Sequence, residues 1–149
     1  MLANKLLLNS IIRGCGCDFS GAFLGMNRLE EIRYYMLSIQ LWDECWGDTE
    51  KMLSDIRGKE ISRQLIRSVG SISANIEEGY GRGFGKEYSH FLKISRGSAR
   101  ESRGWYSKSK FLLSEETINS RINVIDSIIG MITSSIQTLE KKNLAKTTK

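Results

Sequence analysis

Seven apolar side chains, Ile118, Ile122, Ile125, Ile129, Ile132, Ile136 and Leu139, step by four and three residues in turn, and the chain contains no proline. That period returns each side chain to one face of an α-helix, as in the seam of a bundle or coiled coil. Without proline the chain lacks the residue that most often kinks or ends a helix. Ser114 stands three positions before Thr117, and Glu115 and Glu116 put negative charge where a helix start favours it. A long last helix is therefore the firmest expectation.

Three further segments carry the same spacing. A first helix is expected from about Asn27 to Trp46, with Leu29, Ile32, Met36, Ile39, Trp42 and Trp46 inward and Gly47 as its stop. A second runs from about Lys59 to Glu78 on the stripe Ile61, Leu65, Val69, Ile72 and Ile76. A third runs from about Lys86 to Leu113 and carries Tyr88, Phe91, Leu92, Ser95, Ala99, Ser102, Tyr106 and Leu113. No alternating β-branched run and no Asn-Gly turn signals a strand. The prediction is an all-α fold, an antiparallel up-down four-helix bundle.

The bundle is expected over residues 26–142, with a basic tail at 143–149. Residues 1–25 read as a leader, either disordered or ahead of a later start at Met26. Lys5 before a short apolar patch resembles a signal peptide, but Asn9 and Arg13 interrupt the patch and no Ala-x-Ala site follows.

The 149 residues suffice for one domain with its own core. The three cysteines, Cys15, Cys17 and Cys45, lack paired metal-ligand spacing, and His90 is the only histidine. Reduced thiols, a cytoplasmic location, no metal centre and no cofactor follow as expectations. No apolar run approaches the roughly 18 to 20 residues that cross a bilayer, so no membrane partner is expected.

The run SANIEEGYGRGFGKEYSHF, Ser73 to Phe91, alternates Gly79, Gly81, Gly83 and Gly85 and then places Lys86. A dinucleotide fingerprint spaces glycines G-x-G-x-x-G after a strand; these follow a helix as G-x-G-x-G-x-G. A Walker loop needs glycine where Tyr80 stands and serine or threonine where Glu87 stands. Both motifs fail, and the glycines read as a helix end and a tight reversal. Catalysis is no better provided. A Ser-His-Asp arrangement would have to pass through His90, and adjacent Glu77 and Glu78 point about 100° apart on a helix. Neither an enzyme nor a catalytic residue is expected.

Two polar stripes carry more information. Lys93, Arg96, Arg100, Arg103 and Lys110 recur at helical spacing along one face of the third helix, with Arg82 and Lys86 just before them. Between Arg82 and Lys110 eight basic residues face only Glu87 and Glu101, a local +6 that exceeds the whole chain's +5. As a solvated face this is ordinary. As a ridge it suits a sugar-phosphate backbone, because arginine forks pair with phosphate oxygens, and a symmetric oligomer would make it continuous. On the second helix Gln64, Ser68, Ser71, Asn75 and Glu78 step by four and three, about 100° from the apolar stripe. Short Ser and Asn side chains are poor surface helix formers, so they fit a close helix or subunit contact better than open water.

Several linked motifs stand in order: Ser71, Ile72, Asn75, Ile76, Glu78, Gly79, Gly81 and Arg82; Lys86, Glu87 and Tyr88; Phe91 and Leu92; Gly97, Ser98 and Glu101. This order resembles the small bacterial four-helix-bundle proteins encoded in intervening sequences of 23S ribosomal RNA genes, over roughly Leu29 to Glu140. Ser73 stands where that family usually has proline and Glu77 where it usually has alanine, while SRGSARESRGWY is more basic than the commoner leucine-rich version. The resemblance implies a ring-like homopentamer, no known catalysis and no settled molecular function. The polar stripe, with Gln64 and Ser68, and the matched motif, with Ser71, Asn75, Glu78, Gly79, Ser98 and Glu101, together supply the expected subunit-interface or family-motif positions. Distant relatives, the accessory proteins of diversity-generating retroelements, are similar in fold and bind nucleic acid and a reverse transcriptase.

Two functions are thus set against each other. One is an oligomeric binder of structured RNA or DNA, with Arg82, Lys86, Lys93, Arg96, Arg100, Arg103 and Lys110 on phosphates. The other is a protein–protein adaptor or assembly module without nucleic acid. A nuclease or toxin-like role is opposed by the missing catalytic cluster.

Overall fold

The computed structural model describes residues 29–83 and 85–147, so the leader expected at 1–25 lies outside the described residues. Four helices follow one another: α1 (Arg33–Met52), α2 (Ile56–Gly81), α3 (Lys86–Lys108) and α4 (Glu115–Thr147). Each packs on its neighbours in the chain, and α4 returns to α1, which closes an antiparallel up-down bundle. Among the described residues there is no strand. Leu41, Leu65, Val69, Ile72, Ile76, Leu92, Ala99, Ile125, Ile128 and Ile132 are fully buried along its axis. Each large aliphatic side chain so buried stabilises the fold by about 1.5–3 kcal/mol.

The isoleucine seam of α4 holds: Ile118, Ile125, Ile132 and Ile136 are buried, with Ile122, Ile129 and Leu139 partly so. Ile128 joins them because α4 packs on both α3 and α1 and needs a wider apolar face than a two-helix seam. At its start the Thr117 amide donates to Ser114 Oγ at 3.2 Å, and the Ser114 hydroxyl donates to Thr117 Oγ1 at 2.9 Å. The helix continues to Thr147, so residues 143–147 are helical. By the length of its stretch from Glu115 to Ala145 and a mean hydropathy of 1.2 over 18 residues within it, α4 could cross a membrane, contrary to the expectation that no run would qualify. Yet its fully buried isoleucines pack into the bundle, and Asn123, Asp126, Ser127, Ser134 and Gln137 line the exposed side. That division is what a bundle helix requires.

α2 starts at Ile56, three residues earlier than expected, because Asp55 caps it by accepting from the Arg57 amide at 2.7 Å and the Gly58 amide at 3.4 Å. The Arg57 side chain and the same amides hold the Asp55 carboxyl well below the usual carboxylate range. α3 ends at Lys108, not Leu113. The Leu112 and Leu113 amides donate to the Ser109 carbonyl at 2.8 and 2.9 Å, and this turn delivers Leu113 to the core.

α1 departs most from expectation. It passes through Gly47 to Met52, and its buried face is Tyr34, Ser38, Leu41, Cys45, Asp48, Thr49 and Met52. Met36 and Trp46, expected inside, are exposed, while Leu29, Ile32 and Trp42 pack only partly against the core. The helix has two apolar stripes, and a polar Ser38 and Asp48 disguised the one that faces inward.

The glycine run divides by role. Gly83 and Gly85 take φ of 101° and 110°, a conformation that favours glycine, and they make the reversal between α2 and α3. Gly79 lies inside α2, where an added Cβ would come 2.7 Å from Phe91 Cβ. It lets α2 and α3 approach closely.

Candidate nucleic-acid interface

The basic residues of α3 flank its contact with α4. Lys93 Nζ meets Glu140 at 2.7 Å, Arg96 donates to Thr133 Oγ1 at 3.3 Å, and Arg103 meets Asp126 at 2.8 Å. Arg100 lies between Arg96 and Arg103, is exposed, and among the described residues has no carboxylate partner. Lys86 and Lys93 line one cavity at the amino end of the helix. Lys110 follows α3, its ammonium 5.1 Å from the centre of the exposed Phe111 ring. The ridge is therefore real but partly compensated: among the described residues Lys93 and Arg103 are in ion pairs, while Lys86, Arg96, Arg100 and Lys110 are in none.

Arg82 does not join it. Its guanidinium pairs with Glu78 and sits 5.1 Å over the Phe91 ring. Phe91 and Lys93 are about 200° apart around α3, so Arg82 lies on the other flank.

That other flank gathers the motif positions. The Ser102 hydroxyl donates to Ser68 Oγ at 3.0 Å, and Ser95 Oγ donates to the Ile72 carbonyl at 2.9 Å. Ser68 is thus spent inside the α2–α3 contact. Gln64, Ser71, Asn75 and Glu78 follow on the outer side of that contact by the 100° step. Ser71 Oγ donates to the Arg67 carbonyl and Asn75 to the Ser71 carbonyl, both at 2.7 Å. On α3, Ser98 donates to the Ile94 carbonyl at 3.2 Å and Glu101 accepts from Trp105 Nε1 at 3.3 Å. Of the expected interface residues, Glu78 and Glu101 are exposed, Gln64, Ser71, Asn75 and Ser98 are half-buried, and Ser68 and Gly79 are buried.

Residues 30–134 match the sequence pattern of the 23S rRNA-intervening sequence proteins. The chain belongs to that family. A crystal structure at 1.70 Å of a protein with unknown function, from the S23 ribosomal protein family, from Bacteroides thetaiotaomicron VPI-5482, superposes with a TM-score of 0.63 at 21% identity, over 69% of this chain and 97% of that one. At that identity the likeness concerns the fold. Among curated proteins no match is found. The match to the family of 23S rRNA-intervening sequence proteins ends at Ser134, so Glu140 and Asn143 of α4 lie beyond it.

In this member of the family the densest polar cluster is one that sequence reasoning missed. Asp48 is 1% exposed, and Arg121 donates to it through Nε at 2.8 Å and through a terminal nitrogen at 3.4 Å. The Tyr106 hydroxyl donates to Asp48 Oδ2 at 3.2 Å, and Arg121 also pairs with Glu44 at 2.9 Å. Three helices, α1, α3 and α4, are tied at one point. Burial disfavours the Arg121 charge, but the hydrogen bond and charge of Asp48, with Glu44, outweigh it and raise the guanidinium's pKa. Burial first, then Cys45 and Asp48, push the Tyr106 phenol far above its usual range. The cluster is arranged as a clamp. Among the described residues no three His, Cys, Asp or Glu side chains are grouped to hold a metal ion.

Burial pushes the Cys45 thiol up to about 11, against the nearby Tyr106 hydroxyl, which works the other way. A thiol raised above its unfolded value stabilises the fold fully below about pH 8.5 and loses that contribution as pH rises towards the folded value. Urea unfolding at stepped pH is expected to show stability falling by up to about 2 kcal/mol between pH 8.5 and 10, below the range in which the raised Tyr106 phenol adds a fall of its own. Cys45→Ala should flatten that stretch; equal slopes for parent and variant would contradict it.

Proposed function

We propose that this protein is a non-enzymatic nucleic-acid-binding member of its family, holding the phosphate backbone of a structured RNA or DNA along the α3 ridge. The observation that carries this reading is the adjacent pair Arg96 and Arg100, one helical turn apart and, among the described residues, in no ion pair. Their neighbours Lys93 and Arg103 are held only in half-exposed pairs. Such pairs are worth about 0–1 kcal/mol, so phosphate oxygens can replace the carboxylates at little cost. Contacts of this kind position a backbone without reading bases, and binding is largely independent of sequence. The family's link to ribosomal RNA genes makes structured RNA the first ligand to test. Filter binding across stepped salt checks it: affinity falls steeply with salt, and a flat affinity would contradict it.

The same reading has the protein work as a homo-oligomer, a pentamer by the family resemblance. Its support is the outward stripe of α1, with Met36 and Trp46 exposed and Trp42 packed 6.1 Å from Trp46. Contiguous exposed aromatic surface of this kind marks an interaction site. A native mass of five times 16.9 kDa is expected, and a monomer mass would contradict assembly. The stripe also fits a different protein in an adaptor. Co-purification of one defined protein without nucleic acid would decide for that second reading.

A further inference from the structure

The amino end of α3 opens on a cavity of about 570 Å³ lined by Lys86, Ser89, His90, Lys93, Glu140 and Asn143. Ser89 is 4% exposed, yet among the described residues its hydroxyl has no hydrogen-bond partner. Leaving a buried hydroxyl unpaired costs about 1–3 kcal/mol, so a hydroxyl kept here calls for a partner from outside. At the start of α3 the Asn143 carboxamide is the nearest side chain, its Oδ1 3.6 Å from where a Cβ on Gly85 would stand. Gly85 is the N-cap of α3 and brings no side chain to the first-turn amides, whose partial positive charge attracts an anion. Lys86 and Lys93 add two full charges, against Glu140, which Lys93 meets at 2.7 Å.

We propose that this cavity is a phosphate monoester site, in which Ser89 Oγ and the first turn of α3 hold the phosphate oxygens and Lys86 and Lys93 neutralise it. A monoester carries about −1.5 to −2 charges, which two lysines and a helix start match better than they match a singly charged diester. The cavity lies at the end of the ridge next to Lys93. Its natural source is therefore the 5′-terminal phosphate of a strand lying on Arg103, Arg100 and Arg96, an identification that rests on the nucleic-acid reading. A free mononucleotide has the same chemistry and is the other source.

The test uses the full chain with two RNAs of identical sequence, one 5′-phosphorylated and one 5′-hydroxyl, and with adenosine monophosphate as competitor. The phosphorylated RNA is expected to bind about tenfold tighter, a preference worth about 1.4 kcal/mol. Ser89→Ala should abolish the preference while leaving the melting temperature unchanged or higher, since it removes no internal bond. Lys86→Gln should reduce it. Equal binding of the two RNAs, with salt dependence intact and no binding of the monophosphate, overturns the site and leaves the ridge standing. A preference that survives Ser89→Ala also overturns it. If neither RNA binds but the monophosphate does, and Ser89→Ala removes that binding, the site stands on free nucleotide and the ridge reading fails.

Discussion

Arg121→Met is expected to destabilise the protein by about 3–5 kcal/mol. The cost does not come from losing an attraction. It comes from leaving Asp48, 1% exposed, with the Tyr106 hydroxyl as its only close donor among the described residues and Lys51 no nearer than 3.9 Å. Glu44 loses its cation at the same time. A domain of this size has a total stability of about 5–15 kcal/mol, so the variant should melt far below the parent. Urea unfolding reads the effect directly. Adding Asp48→Asn should recover a substantial part of the loss, because the penalty belongs to the orphaned charge. A single variant within about 1 kcal/mol of the parent would mean that Asp48 finds water or another partner, and that the cluster is not a clamp.

The second large effect concerns binding. Arg96→Ala combined with Arg100→Ala should weaken RNA affinity about 10- to 100-fold, from hydrogen bonds to charged groups worth about 1.5–3 kcal/mol each, reduced by solvent exposure. The fold should hardly notice: among the described residues Arg100 has no carboxylate partner, and Arg96 gives up one hydrogen bond to Thr133. Circular dichroism and melting of the double variant separate lost binding from lost structure. Undiminished affinity would move the binding surface elsewhere.

How much of this could be read from the residues varied with how the signal was composed. α4 and α2 were legible because one apolar stripe on each coincides with the buried one, from Ile118 to Ile136 and from Leu65 to Ile76. α1 was not, because its inward face carries Ser38 and Asp48 while its outward face carries Met36 and Trp46. Counting apolar residues favours the wrong face whenever a buried charge has a partner far away in sequence. Asp48 and Arg121 are 73 positions apart, and no local pattern joins them. A faint signal existed: Asp48 falls in heptad register with Leu41, and Arg121 lies one turn from Ile118 and Ile125 on an otherwise apolar face. The ridge of α3 was legible as charge, but its pairing with Asp126 and Glu140 needed the register of α3 against α4. Gly79 was legible as glycine and misread as hinge, because only the neighbouring helix shows that Phe91 occupies the space of its missing side chain.

The ridge is most directly tested by the salt dependence of RNA affinity in the parent and in the Arg96→Ala, Arg100→Ala variant. Each phosphate contact contributes about 0.7 to 0.9 to the slope of log affinity against log salt. The parent is expected to show a slope of several units, and the variant a slope shallower by about 1.4 to 1.8. Parallel lines for the two proteins, or a parent whose affinity does not change with salt, would contradict a phosphate-binding role for α3.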